Sequence, residues 1–187
     1  LLAKDERIRM FSFTGSVPVG KSLQKSAGFR RVALELGSNS ANIVHGDVKD
    51  VKKVAELCAR YAFTNAGQVC ISCQRVYVER PIYEKFCLAA KAYAQTLETG
   101  DLMQETTTLG PMIAEKEAVR IEAWVKEACE DGAKLLTGGT RSGAYFAPTI
   151  LTDTKPGMKV ICRETFAPVF SIMPYDTIDA AIAAVNA

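Results

Sequence analysis

Histidine is almost missing from this 187-residue chain: His45 is the only one. It ends a strand-like run beside Gly46-Asp47, a setting that suits a turn, so a nucleophile that needs an imidazole base has a single candidate partner. No second Cys or His pair stands at ligand spacing either, and no metal is expected. An excess of charge of one sign is lacking too. Lys and Arg number 23 and Asp and Glu 21, a formal net charge of +2, and the cations fall in short clusters such as Arg30-Arg31 and Lys52-Lys53. A nucleic-acid binder shows a basic patch or stripe, so no nucleic-acid partner is expected. Apolar runs of about 18 residues, the length of a membrane span, are absent. The opening Lys4-Asp5-Glu6-Arg7 is charged where a signal peptide carries its apolar stretch. No membrane partner is expected, and the opening without an initiator methionine suggests either processing or a piece of a longer protein.

What is present is ordinary soluble-protein material, 48% apolar and 24% charged, with length enough for a core and for one domain and part of another. The six cysteines at 58, 70, 73, 87, 129 and 162 do not form a secreted-type disulfide framework in a chain of this size. Cys58, Cys87 and Cys129 fall among Ala, Leu and Val in helix-like segments and read as buried small hydrophobes. A reducing cytoplasm fits this usage.

Strand and helix patterns alternate. Strands are expected at 9–13, 31–35, 41–45, 75–79, 134–137, 145–151 and 169–174. Helices are expected at 18–27, 50–64, 81–97, 114–131 and 177–187, with Pro18 and Pro81 in first turns where the missing N–H costs nothing. In the helix at 50–64, Val51, Val54, Leu57, Cys58 and Tyr61 fall on one face. The predicted fold class is α/β: a three-layer, open, largely parallel sheet with helices on both faces.

Cys70 lies in Gly67-Gln68-Val69-Cys70, a turn between a helix-like and a strand-like run, where a loop presents a thiol rather than packing it. Cys70 and Cys73 form a Cys-x-x-Cys, but a redox pair of that kind belongs at a helix start after a strand, and here it precedes a strand. A thiol acts as a nucleophile with a nearby base or an electropositive setting, and with histidine scarce a carboxylate is the available base. Glu35, after Val32-Ala33-Leu34, is such a group. A charged carboxylate is costly to bury, so Glu35 is either functional or a strand-end residue reaching solvent. Gly15-Ser16 joins a strand to a helix, where backbone N–H groups favour a phosphate; the spacing is not Gly-x-Gly-x-x-Gly, and a plain N-cap turn reads equally well. Glu164 and Phe166 lie in a loop before the last strand.

Four motifs in order, Phe13-Thr14-Gly15-Ser16, Leu34-Glu35-Leu36-Gly37, Gly67-Gln68-Val69-Cys70 and Glu164-Thr165-Phe166-Ala167-Pro168-Val169, resemble those of the aldehyde dehydrogenase superfamily, of the NAD(P)-dependent hydrolytic type. Arg75 matches the end of the nucleophile motif. The resemblance implies oxidation of an aldehyde to a carboxylic acid with NAD or NADP as cofactor. Cys70 would add to the aldehyde to give a thiohemiacetal, hydride transfer would leave a thioester, and water activated by Glu35 would release the acid. The Cys70 N–H would meet the oxyanion. Gly15, Ser16, Leu36 and Gly37 would line the cofactor, Glu164 would hold its nicotinamide ribose, and Phe166 would border its ring. A small aldehyde is then the substrate partner, and the full-length protein a cytoplasmic homodimer or homotetramer.

Two positions depart from the pattern. Ala167 stands where glycine is usual, which resembles the branch acting on lactaldehyde or in non-phosphorylated glyceraldehyde-phosphate chemistry, and Gly37-Ser38-Asn39 replaces the commoner Gly-Gly-Lys. The resemblance covers the whole chain but aligns it with the middle of a longer protein. Residues 1–37 correspond to the end of the cofactor-binding domain and 38–187 to a C-terminally incomplete catalytic domain, so the isolated chain is expected to turn over poorly. Two other readings are a non-catalytic scaffold or interface module, which would not bind cofactor, and a CoA-acylating dehydrogenase, a type that generally lacks a glutamate matching Glu35.

Overall fold

The computed structural model describes residues 2–186. The chain divides into two compact units, Leu1–Ser38 and Asn39–Ala187.

The first unit is one strand-helix-strand crossover. After a 3-10 turn at Leu2–Lys4 come β1 (Met10–Thr14), α1 (Val17–Ala27) and β2 (Arg31–Glu35), with the strands parallel from Met10 opposite Arg31 to Thr14 opposite Glu35. Both strands alternate exposed and half-buried residues, the period of a sheet with one covered face. Gly20 is buried on α1 because Leu36 leans against it; a Cβ there would come within 2.6 Å of Leu36 Cδ2. The end of α1 is held by Arg30, whose guanidinium donates to the carbonyls of Ala27, Asp5 and Ala3 and lies 4.7 Å from the Phe11 ring centroid. A cation bonding the last carbonyls of a helix satisfies acceptors that otherwise lack donors.

The second unit runs β3 (Ala41–Val44), α2 (Val51–Phe63), β4 (Arg75–Glu79), α3 (Arg80–Ala94), α4 (Glu115–Glu130), β5 (Lys134–Thr137), β6 (Arg141–Ser142), β7 (Tyr145–Phe146), β8 (Thr149–Thr152), α5 (Lys159–Cys162), β9 (Val169–Tyr175) and α6 (Ile178–Asn186). Its five-stranded sheet has the order β3-β4-β9-β8-β5. Every pairing is parallel except β5 against β8. The central strands β4 and β9 are buried nearly throughout, as strands covered on both faces are. Alternate residues go to opposite layers. Val76, Val78, Phe170 and Ile172 join the core under α2 and α3, while Tyr77, Val169, Met173 and Tyr175 join the core with α4 and α6. This is the expected three-layer α/β arrangement. Asp50 caps α2, its Oδ1 accepting the Lys53 N–H at 3.0 Å.

Local readings change in three places. The buried face of α2 is Val51, Ala55, Ala59, Ala62 and Phe63, whereas Leu57 and Tyr61 are 41% and 58% exposed. The helix seats small alanines against α3, and a stripe counted from bulky residues misses that. The strand expected at 145–151 breaks into β7 and β8 around Ala147-Pro148, since proline has no N–H to donate to a ladder. A short helix, α5, precedes the Glu164–Phe166 loop, in a stretch where no element is expected. In the expected helix at 177–187, Ala187 lies outside the described residues.

Candidate active site

Beyond α2 the chain makes a 3-10 turn, Thr64–Gly67, in which Asn65, Ala66 and Gly67 are all left-handed, with φ of 52°, 54° and 69°. Two of these carry a Cβ, and such residues cost about 1–3 kcal/mol each unless the surroundings enforce them. Here side chains do so. Asn65 Nδ2 donates to the Gln68 carbonyl and Gln68 Nε2 donates to the Asn65 carbonyl, both at 3.1 Å. Gln68 Oε1 accepts the Ile113 N–H at 2.7 Å, tying the loop to residues 110–113. The Ser72 N–H then bonds the Val69 carbonyl at 3.0 Å, closing a turn around Cys70 and Ile71. Ser72, Cys73 and Gln74 are buried beneath that turn while Ile71 is 80% exposed, and Cys70 is exposed. The loop therefore presents the thiol, as its sequence suggests.

Against this loop lies the segment Glu164-Thr165-Phe166-Ala167. A Cβ on Gly67 would stand 1.9 Å from the Ala167 carbonyl oxygen, so glycine is what allows the two backbones to touch. Glu164 is half-buried and Thr165 buried. Phe166 is left-handed at φ 45° and 40% exposed. A cleft of about 570 Å³ opens here, its lining including Asn65, Gln68, Met112, Ile113 and Phe166. Cys70, Glu164 and Phe166 thus fall on two abutting loops. Arg75 is a structural residue: its guanidinium donates twice to the Asn39 carbonyl, at 3.0 and 2.7 Å, and Asn39 Nδ2 in turn donates to Ile161.

In the first unit, Gly15 and Ser16 stand where β1 passes into α1. The Gly15 N–H bonds the Glu35 carbonyl at 3.0 Å, so Gly15, Ser16 and Glu35 occupy the carboxyl ends of the two parallel strands, where ligands of open α/β sheets bind. Ser16 makes no side-chain cap bond, and the first-turn N–H groups of α1 suit an anionic group such as a pyrophosphate. Leu36 spends its side chain on Gly20, so a cofactor contact from Leu36 or Gly37 would be made by backbone. Glu35 is not buried, although the apolar residues before it suggest burial. β2 alternates, and Glu35 falls on its exposed register. Its strand-end position is compatible with reaching solvent, and nothing in its burial marks it as a base.

The other thiols separate by environment. Cys73 is buried, accepts from Asn42 Nδ2 at 3.1 Å and contacts the Cys58 thiol. That contact first, and burial second, raise its pKa far above the ordinary thiol range. Cys73 is therefore a buried thiol facing Cys58, while Cys70 is exposed, and both are free. Burial pushes Cys87 up to about 11. Cys87 is buried as expected, whereas Cys58 and Cys129 are only half-buried, and Cys162 is a second exposed thiol that sequence reasoning passed over. Gln74 and Arg120 were passed over as well, and both reach Thr165. An amide entering an otherwise apolar strand is a signal in retrospect, because a buried amide needs partners.

An α/β fold of this kind is shared with one class of enzymes. Residues 1–187 match the aldehyde dehydrogenase family, and the chain belongs to it. Among its relatives is a 3-sulfolactaldehyde dehydrogenase of Priestia aryabhattai, 50% identical over 185 residues that make up 99% of this chain and 39% of that protein. Among solved structures, an NAD-dependent aldehyde dehydrogenase from Sinorhizobium meliloti superimposes with a TM-score of 0.94 at 36% identity, over 99% of this chain and 38% of that one. An NADP-dependent enzyme from E. coli gives 0.95 at 34% identity, over 99% and 39%. The chain spans 38–39% of the length of these relatives.

Proposed function

We propose that the protein carrying these residues oxidises an aldehyde to a carboxylic acid, with Cys70 as the nucleophile. The observation that carries this reading is the exposed Cys70 on a loop held by Asn65 and Gln68 and packed against Ala167, at the end of the Glu164–Ala167 segment. In this reading the Cys70 thiolate attacks the aldehyde carbonyl. Among the described residues no hydrogen bond engages the Cys70 N–H, which suits it to receive the developing oxyanion. Bound NAD(P)+ supplies the hydride acceptor. Gly15 and Ser16 hold its pyrophosphate at the start of α1, with the backbone of Leu36 and Gly37 alongside. Glu164 takes the ribose hydroxyls and Phe166 flanks the nicotinamide. Glu35 is the base that activates water against the thioester. Residues 1–37 then end the cofactor-binding domain, and 38–187 form most of the catalytic domain, close to the division between the two compact units. The name of the Priestia relative and the alanine at 167 both favour a small lactaldehyde-type substrate, and the assembly is a cytoplasmic homodimer or homotetramer.

The test needs no cofactor. An activated ester such as p-nitrophenyl acetate acylates a nucleophilic thiol with release of nitrophenolate, and hydrolysis of the thioester follows. The chain should give a burst of nitrophenolate that Cys70→Ser removes and Cys162→Ser does not. A burst that survives Cys70→Ser would refute the assignment.

A further inference from the structure

Thr165 sits between Glu164 and Phe166, and each of its polar groups is held by a side chain from elsewhere in the unit. Its N–H donates to Gln74 Oε1 at 2.6 Å, and its hydroxyl donates to the same oxygen at 2.9 Å. Its carbonyl accepts from Arg120 at 2.8 Å. Arg120 is itself fixed on α4, bonded to Glu117 Oε2 at 2.8 Å and lying 4.6 Å from the Trp124 ring centroid. Gln74 is only four positions after Cys70, at the entrance to β4. Its own carbonyl accepts the Ser171 N–H at 2.9 Å. Gln74 and Thr165 are each 1% exposed. Both donors converge on one buried oxygen, where hydrogen bonds are strong and an unpaired group is costly.

We infer that Gln74 is a positioning residue that locks the Glu164–Phe166 segment to the Cys70 loop, an inference that rests on the roles proposed above for Cys70, Glu164 and Phe166. The lock answers a specific need. Phe166 is held in a left-handed conformation, and a strained residue persists only where its neighbours over-determine it. Gly67 keeps the two loops in contact at Ala167, and Gln74 adds a second tie one residue before Phe166. With both in place, the group that holds the cofactor ribose and the thiol that holds the substrate move as one body. Small displacements of reacting groups cost rate steeply, so the tie bears on hydride transfer more than on aldehyde capture.

Hydrogen exchange at the Thr165 amide tests the lock directly in the 187-residue chain. Gln74→Met keeps the length and removes the acceptor, and should speed that exchange about 10- to 100-fold. The central sheet amides of Val76 and Ile172 should keep their protection. Gln74→Glu retains an oxygen in the same place and, at a pH low enough to keep the buried carboxyl neutral, should restore slow exchange at Thr165. If Gln74→Met folds poorly, Thr165→Val removes only the hydroxyl bond, and in the longer protein carrying these residues it should lower kcat for aldehyde oxidation with little change in the aldehyde KM, while Thr165→Ser behaves as wild type. Unchanged Thr165 exchange in Gln74→Met overturns the inference. So does an equal loss of protection across the sheet, which would mark a merely structural role, and so does a Thr165→Val variant with wild-type kcat. Failure of the wild-type chain to be acylated at Cys70 would instead refute the functional reading, leaving the exchange result as a separate finding.

Discussion

A methyl group at position 67 has no room. Its carbon would stand 1.9 Å from the Ala167 carbonyl oxygen, 2.3 Å from the carbonyl carbon and 2.9 Å from the Pro168 nitrogen. These are backbone atoms, which cannot swing aside as the end of a long side chain can. Gly67 is also left-handed, at φ 69°. Gly67→Ala therefore combines two penalties. A side chain in the left-handed region costs about 1–2 kcal/mol, and prising apart a packed contact costs about 1–3 kcal/mol. The sum, about 2–5 kcal/mol, is a large part of the roughly 5–15 kcal/mol that stabilises a domain. Gly143→Ala separates the two, because Gly143 has a φ of 57° with nothing within 4 Å of its would-be Cβ, and only the first penalty applies. Urea unfolding followed by circular dichroism, compared at equal slope, should rank Gly67→Ala well below Gly143→Ala. Equal losses in the two variants, or a Gly67→Ala protein within about 0.5 kcal/mol of wild type, would refute the description of the loop contact.

Under native conditions iodoacetamide should modify Cys70 and Cys162 first and Cys73 and Cys87 last, as read by peptide mass spectrometry; equal rates at all six would contradict the environments described. The rate at Cys87 should still be climbing as pH rises toward about 11, because its thiolate fraction grows until that pKa, and a plateau at the ordinary thiol value near 8.5 would show that burial does not govern it. Glu35→Gln should leave acetylation of Cys70 intact and slow release of the acetyl group about 100-fold or more, within the usual range for a general base; wild-type release would assign the base to another group. On α2, Ala59→Leu should cost about 1–3 kcal/mol by overpacking, and Leu57→Ala less than about 1 kcal/mol. The reverse order in thermal unfolding would put the helix the other way round.

Legibility followed the range of each interaction. The short apolar runs at 31–35 and 75–79, each bounded by charged residues, predict β2 and β4 with the same bounds the fold shows, because such a run is a local signal. The loop that presents Cys70 was readable as well, from glycine and polar residues between two periodic runs. The face of α2 was not, because whether alanines or bulky residues turn inward depends on how closely α3 packs. Nor was the reason for Gly67. Its neighbour is a carbonyl 100 residues away in the sequence, at Ala167, and no local pattern announces such a contact. The tie from Gln74 to Thr165 spans a separation of 91 and stayed hidden for the same reason. Glu35 shows the opposite failure: an apolar neighbourhood in sequence suggested burial, and strand alternation put the side chain on the exposed register.

The most direct test of the account is the site of the oxidised acyl group. The longer protein carrying these residues is mixed with an aldehyde and a large excess of NAD(P)+, quenched in acid before hydrolysis completes, digested and mapped by mass spectrometry. A thioester on Cys70, formed only when the cofactor is present, is the expected result. A thioester on another residue, Cys162 above all, or an undiminished acyl yield in Cys70→Ser, would contradict it.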